Sequence, residues 1–124
     1  MSDTTLLTKI IEAADDRKAL DMEVIEVEEL TAIADHFVIC TGTSTTHVKA
    51  IADAIEKKLK EDKGIYPHHV EGYDSASWIL LDYGSVLVHV FLQEARQFYL
   101  LEKLWSDAKR IDIAKIIEKK AESK

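Results

Sequence analysis

Residues 78–91, WILLDYGSVLVHVF, decide how this chain folds. Two apolar runs, Trp78–Tyr83 and Val86–Leu92, meet at Gly84. Each is too short for a stable helix and rich in branched or aromatic side chains, which pack well on a pleated surface. Gly84 supplies the positive φ that a tight turn between two strands requires. The stretch therefore predicts a hairpin. Its period of two puts Ile79 and Leu81 on one face, and Trp78, Leu80 and Asp82 on the other. Both faces are largely apolar. One must pack under helices. The second is either covered by the same chain or left open for a partner. Trp78 beside Leu80, Asp82 and Tyr83 has the composition of an interface centre.

Working outward, His36–Thr41 is a near-continuous apolar run, which predicts a strand buried on both faces. Met22–Val27 predicts a partner strand, and Pro67–Gly72 a short one with Pro67 at its start. Leu7, Ile10, Ile11 and Ala14 share a helical face within residues 4–18. Val48, Ile51, Ala52, Ile55 and Leu59 do the same in a helix expected to run to about Asp62. Ser44 or a neighbouring Thr can cap its start, and Gly64 can stop it. Residues 93–105 predict a further helix burying Phe98, Leu101, Leu104 and Trp105. Ile113, Ile116 and Ile117 give the tail from Arg110 helical spacing. The expected class is α/β: an α+β mixed sheet covered by helices, as one domain over residues 1–109 with a helical tail at 110–124.

A chain of 124 residues can bury a core without disulfides or metal. Cys40 is its only cysteine, so an internal disulfide is excluded and a reducing compartment, the cytoplasm, is expected. No segment approaches the ~20 apolar residues of a membrane span, and no apolar leader is evident. The formal net charge is −7. Residues 64–95 contain no Lys or Arg, but carry Glu71, Asp74, Asp82 and Glu94. Gripping phosphates requires Lys or Arg, so direct sequence-specific nucleic-acid binding is not expected of this region. An acidic surface suits a basic protein, although it also serves plain solubility.

Catalytic readings fare poorly. The loop Thr41–Thr46 follows a strand and opens a helix, where a phosphate could sit. It has one Gly and no following Lys, so it meets neither the P-loop nor the dinucleotide pattern, and a helix cap explains it. A nucleotidyltransferase would need two or three carboxylates around Mg²⁺. Asp82 stands alone, and Val86–Leu92 contains no acid. His36, His47, His68, His69, His89 and Cys40 show no metal-ligand spacing. No catalytic residue, metal or cofactor is expected.

Several runs together resemble a known family. They are Ala34–Ser44 (ADHFVICTGTS), His47–Asp53 (HVKAIAD), Glu71-Gly72, Trp78–Gly84, Val88–Phe91 and Tyr99–Ala108. In this order they are similar to the ribosomal silencing factor family RsfS, also called Iojap-like, with the resemblance covering residues 4–108. His36 stands where Tyr is common in the family. The resemblance implies a nucleotidyltransferase-like fold lacking the catalytic carboxylates. It also implies a non-enzymatic function: binding the large ribosomal subunit through its protein uL-fourteen, blocking subunit association and repressing translation. Organelle relatives act in large-subunit biogenesis, and homodimers occur. On this footing Glu71, Asp74, Trp78, Leu80, Asp82 and Tyr83 are the expected partner-binding residues, with Trp78 and Leu80 as anchors.

Overall fold

The computed structural model describes residues 3–29, 32, 34–95 and 109–111. Helix α1 (Asp3–Asp16) leads through a turn into β1 (Leu20–Glu26), followed by β2 (His36–Gly42). Helix α2 (Thr45–Lys63) precedes β3 (His69–Glu71), β4 (Trp78–Asp82) and β5 (Val86–Leu92). A short β6 (Lys109–Ile111) completes a six-stranded sheet in the order β3-β4-β5-β2-β1-β6.

The ends of α2 follow from local chemistry. Ser44 is extended (φ −147°) and its hydroxyl accepts the His47 N–H at 3.1 Å, satisfying a donor of the first turn. Gly64 is left-handed (φ 65°), its N–H donates to the Lys60 carbonyl, and Ile65 N–H reaches the Leu59 carbonyl. That pair of bonds closes the helix as a left-handed glycine cap does. Gly42 has a packing reason: a Cβ there would lie 2.8 Å from Val48 Cγ2, too close for α2 to start where it does.

Strands β2 and β5 form the parallel centre of the sheet, in register from His36↔Val86 to Gly42↔Leu92. The other pairs are antiparallel. Near-continuous burial of β2 and β5 matches their unbroken apolar sequences. Helices α1 and α2 pack on one face, where Ile10, Ile11, Ile51, Ile55 and Leu59 meet Val38, Cys40, Ile79, Leu81, Val88 and Val90. A second buried cluster, Ile25, Val27, Ala34, Phe37, Ile39, Leu87 and Phe91, marks the other face. At ~25 cal/mol per Å², each large side chain in these clusters contributes ~2 kcal/mol.

The sheet extends further than the sequence suggested. Arg110 and Ile111 were expected in a helical tail beyond residue 109. They lie instead in β6, antiparallel to β1 (Glu26↔Lys109, Ile25↔Arg110, Val24↔Ile111). The unpaired edge of β1 offers backbone donors and acceptors that a strand satisfies and a helix does not. Residues 93–95 are helical, and the remainder of the helix expected to 105 lies outside the described residues, as does the tail beyond 111.

Candidate protein-docking face

Strand β4 alternates as its sequence requires: Ile79 and Leu81 are fully buried beneath the helices, while Trp78, Leu80 and Asp82 are half-buried on the opposite face. Register builds that face row by row, because directly opposed residues share a side. One row runs Glu71, Leu80, His89, Ile39. The next runs His69, Asp82, Leu87, Phe37. Trp78 lies opposite Phe91. Burial falls steadily along these rows. Ile39 and Phe91 are fully enclosed, Leu80 and Trp78 half-enclosed, and His69 and Glu71 on β3 exposed. The half-buried apolar pair therefore borders the β3 edge of the sheet, and both pack against the second cluster.

Trp78 is held from two sides. Its ring stacks on Phe91 at 5.0 Å between centroids and 27° between planes. Its indole N–H donates to His89 Nδ1 at 3.1 Å. His89 is 5% exposed and edge-on to Phe37 at 4.8 Å. Loss of solvation pushes its pKa from 6.5 down to about 4, so the ring is neutral near neutral pH.

The six expected partner-binding residues are not all brought together. Trp78, Leu80, Asp82 and Glu71 share one face. Asp82 also has a task within the fold: its Oδ1 accepts the Gly84 N–H at 2.8 Å, bracing the hairpin turn. Asp74 is exposed in the loop after β3. That loop is tied toward α2, because the Tyr73 hydroxyl donates to Asp53 at 3.1 Å and Lys49 sits 5.3 Å above the Tyr73 ring. Tyr83 departs from expectation. It is 6% exposed and belongs to the helix-side cluster, the opposite side from Trp78. Burial, with Glu56 nearby, holds its hydroxyl well above the ordinary tyrosine range. Tyr83 carries the alternation of β4 one residue on: with Ile79 and Leu81 it takes the helix side, so the period of two places it away from Trp78 and only nearness in the chain had grouped the two.

Sequence reasoning left His89 unassigned. Its signal was present in the hairpin register, which sets His89 opposite Leu80 and one row from Trp78. The Thr41–Thr46 loop is occupied as a helix cap by Ser44, and Cys40 is fully buried. Among the described residues no group of three or more His, Cys, Asp or Glu could hold a metal ion, and no helix is long and apolar enough to cross a membrane.

Comparison with known proteins shows the family to which the chain is similar. The family model described as "Ribosomal silencing factor during starvation" matches residues 1–124, further than the motifs alone suggested. The ribosomal silencing factor RsfS of Halalkalibacterium halodurans is 41% identical over 117 residues, 94% of this chain and 99% of the relative. The mouse protein named mitochondrial assembly of ribosomal large subunit protein 1 is 40% identical over 90 residues, 71% of this chain and 40% of its own length. A crystal structure of a Chromobacterium violaceum protein shares the fold with a TM-score of 0.82 and 36% identity, over 86% of this chain and 88% of that one.

Proposed function

This chain belongs to the ribosomal silencing factor family, and from that premise we propose that it binds the large ribosomal subunit through protein uL-fourteen and blocks subunit joining. The observation that carries this reading is the half-buried pair Trp78 and Leu80 beside Glu71 and Asp82, in a stretch without Lys or Arg. Trp78 and Leu80 are apolar anchors. Glu71 and Asp82 pair with basic side chains of the partner, and Asp74 adds to the same negative field. Tyr83 supports β4 from the helix side rather than touching the partner. The mechanism is occlusion: a rigid domain on the subunit's joining surface excludes the small subunit by volume and needs no chemical step. Translation is repressed accordingly, in the cytoplasm, by a protein that can also pair with a second copy of itself.

Sedimentation of purified subunits tests this. Near-stoichiometric protein is expected to reduce joined ribosomes, and Trp78→Ala to lose binding to isolated uL-fourteen by about thirtyfold, the scale of a ~2 kcal/mol hot spot. Unchanged joining with the protein bound would remove the silencing role. The mouse relative's name favours a second reading, a biogenesis factor using the same site. That reading predicts accumulation of immature large subunits when the protein is depleted, with little effect on joining of mature ones. An enzyme of the nucleotidyltransferase type would require Mg²⁺-dependent nucleotide turnover.

A further inference from the structure

We infer that His89 is a positioning residue for recognition: it fixes the Trp78 indole in the orientation that meets the partner. The inference rests on the docking face proposed above and deepens it.

The indole N–H can only donate, so the acceptor, His89 Nδ1, must carry no proton. The ring's proton is therefore on Nε2, a buried atom with no hydrogen-bond partner among the described residues. Protonating Nδ1 would break the bond to Trp78. Burial keeps the ring neutral and so preserves the acceptor. The imidazole is itself fixed, edge-on to Phe37 at 4.8 Å and parallel within 9° to Phe91, whose centroid is 6.2 Å away. Phe91 in turn supplies the plane on which Trp78 stacks. One polar contact and one stacking contact define the plane and rotation of the indole. An unclamped Trp at a half-exposed rim would populate other rotamers and lose that freedom on binding. A buried histidine in an otherwise apolar strand suits this task, since it offers one acceptor together with ring surface for packing.

The test uses the full chain, uL-fourteen and the variants His89→Phe and Trp78→Phe. His89→Phe keeps a ring against Phe37 and Phe91 but removes the acceptor. It is expected to weaken binding roughly three- to tenfold, the scale of one side chain's ordering. The Trp78 indole N–H resonance, assigned by its loss in Trp78→Phe, should shift upfield and exchange faster with solvent. In the Trp78→Phe background the same His89 change should cost nothing further, because its effect acts through the indole N–H. An equal cost in both backgrounds would show a merely structural role and overturn the inference. Unchanged affinity in His89→Phe, with binding lost in Trp78→Ala, would overturn positioning but leave the face intact. Unchanged affinity in Trp78→Ala would overturn both. If His89→Phe does not fold, His89→Leu is measured against the same outcomes.

Discussion

Gly72 backs directly onto the Trp78 carbonyl: a Cβ at Gly72 would occupy the space of that oxygen. Gly72 also has φ 78°, a conformation L side chains rarely adopt. Both demands come from the tight loop between β3 and β4, which brings the two strands together beside the proposed anchor. Gly72→Ala is expected to destabilise the fold by roughly 2–4 kcal/mol, combining backbone strain with the clash. Because the clash falls on Trp78 itself, affinity for uL-fourteen should drop more than for a control of equal stability loss in α1. Urea unfolding and binding measured on the same preparations check this.

Glu71 and Asp82 separate charge from structure. Glu71 is exposed on β3, and Asp82 braces Gly84. Glu71→Gln should leave stability within ~0.5 kcal/mol, as surface changes usually do, and weaken binding modestly. Asp82→Asn keeps an acceptor for the Gly84 N–H, so it should lose affinity with little stability. Asp82→Ala loses the acceptor as well and should cost ~1 kcal/mol. Affinity of the parent protein should fall with added salt, as exposed charges are screened. A salt-independent affinity would remove the electrostatic part of the docking reading.

Much of this was legible in the chain because its causes are local. Ser44, Gly64 and Gly84 act on residues within a few positions, and the period of two along β4 assigned Trp78 and Leu80 correctly to one face. The misplacements have different causes. Tyr83 continues the alternation of Ile79 and Leu81 and lies on their side, so the same period of two, applied to it, separates it from Trp78. Lys109–Ile111 pairs with β1, more than eighty residues earlier, and nothing in its own composition signals that. His89, between Val88 and Val90, reads in the sequence as a half-buried, hydrogen-bonded histidine, but its partner lies across the hairpin and goes unnamed there. A register drawn outward from Gly84 would have brought it near Trp78.

Burial of His89 makes stability depend on pH with a definite sign. Its folded pKa, about 4, lies below the ordinary 6.5. Above pH 6.5 the ring is neutral in both states and contributes no slope. As pH falls from 6.5 toward 4, the unfolded chain binds a proton that the folded one does not, so stability is lost. The full loss is on the order of 3 kcal/mol, most of it spent by pH 4.5. His89→Phe should abolish this component. Glu56, held above its ordinary carboxyl range by burial and by Asp53, titrates with the opposite sign but is common to both proteins. The check is the difference in urea-unfolding free energy between parent and variant at pH 7 and 4.5. A difference that does not change with pH would mean the imidazole is not buried neutral.

His47 joins the two helices by a different device from the ion pair nearby, and the two should differ in worth. Its Nδ1 accepts the Thr43 N–H at 2.9 Å, so its proton lies on Nε2, which donates to the Arg17 carbonyl at 2.7 Å. The ring thus ties the turn after α1 to the loop that opens α2. Lys9 meets Asp62 at 3.1 Å near the other end of α2, but both side chains are partly exposed, at 28% and 37%. Exposed pairs are screened and contribute little, whereas the half-buried His47 ring makes two short hydrogen bonds, although the Thr43 N–H and the Arg17 carbonyl are exposed and pass to water when it is lost. His47→Ala should cost ~1 kcal/mol, and Lys9→Ala under ~0.5 kcal/mol. Amide exchange should rise through α1 in the His47 variant while β2 and β5 stay protected, because the tether lies outside the sheet. Equal costs, or exchange that rises uniformly, would show that packing of α1 on α2 rather than the histidine holds that corner.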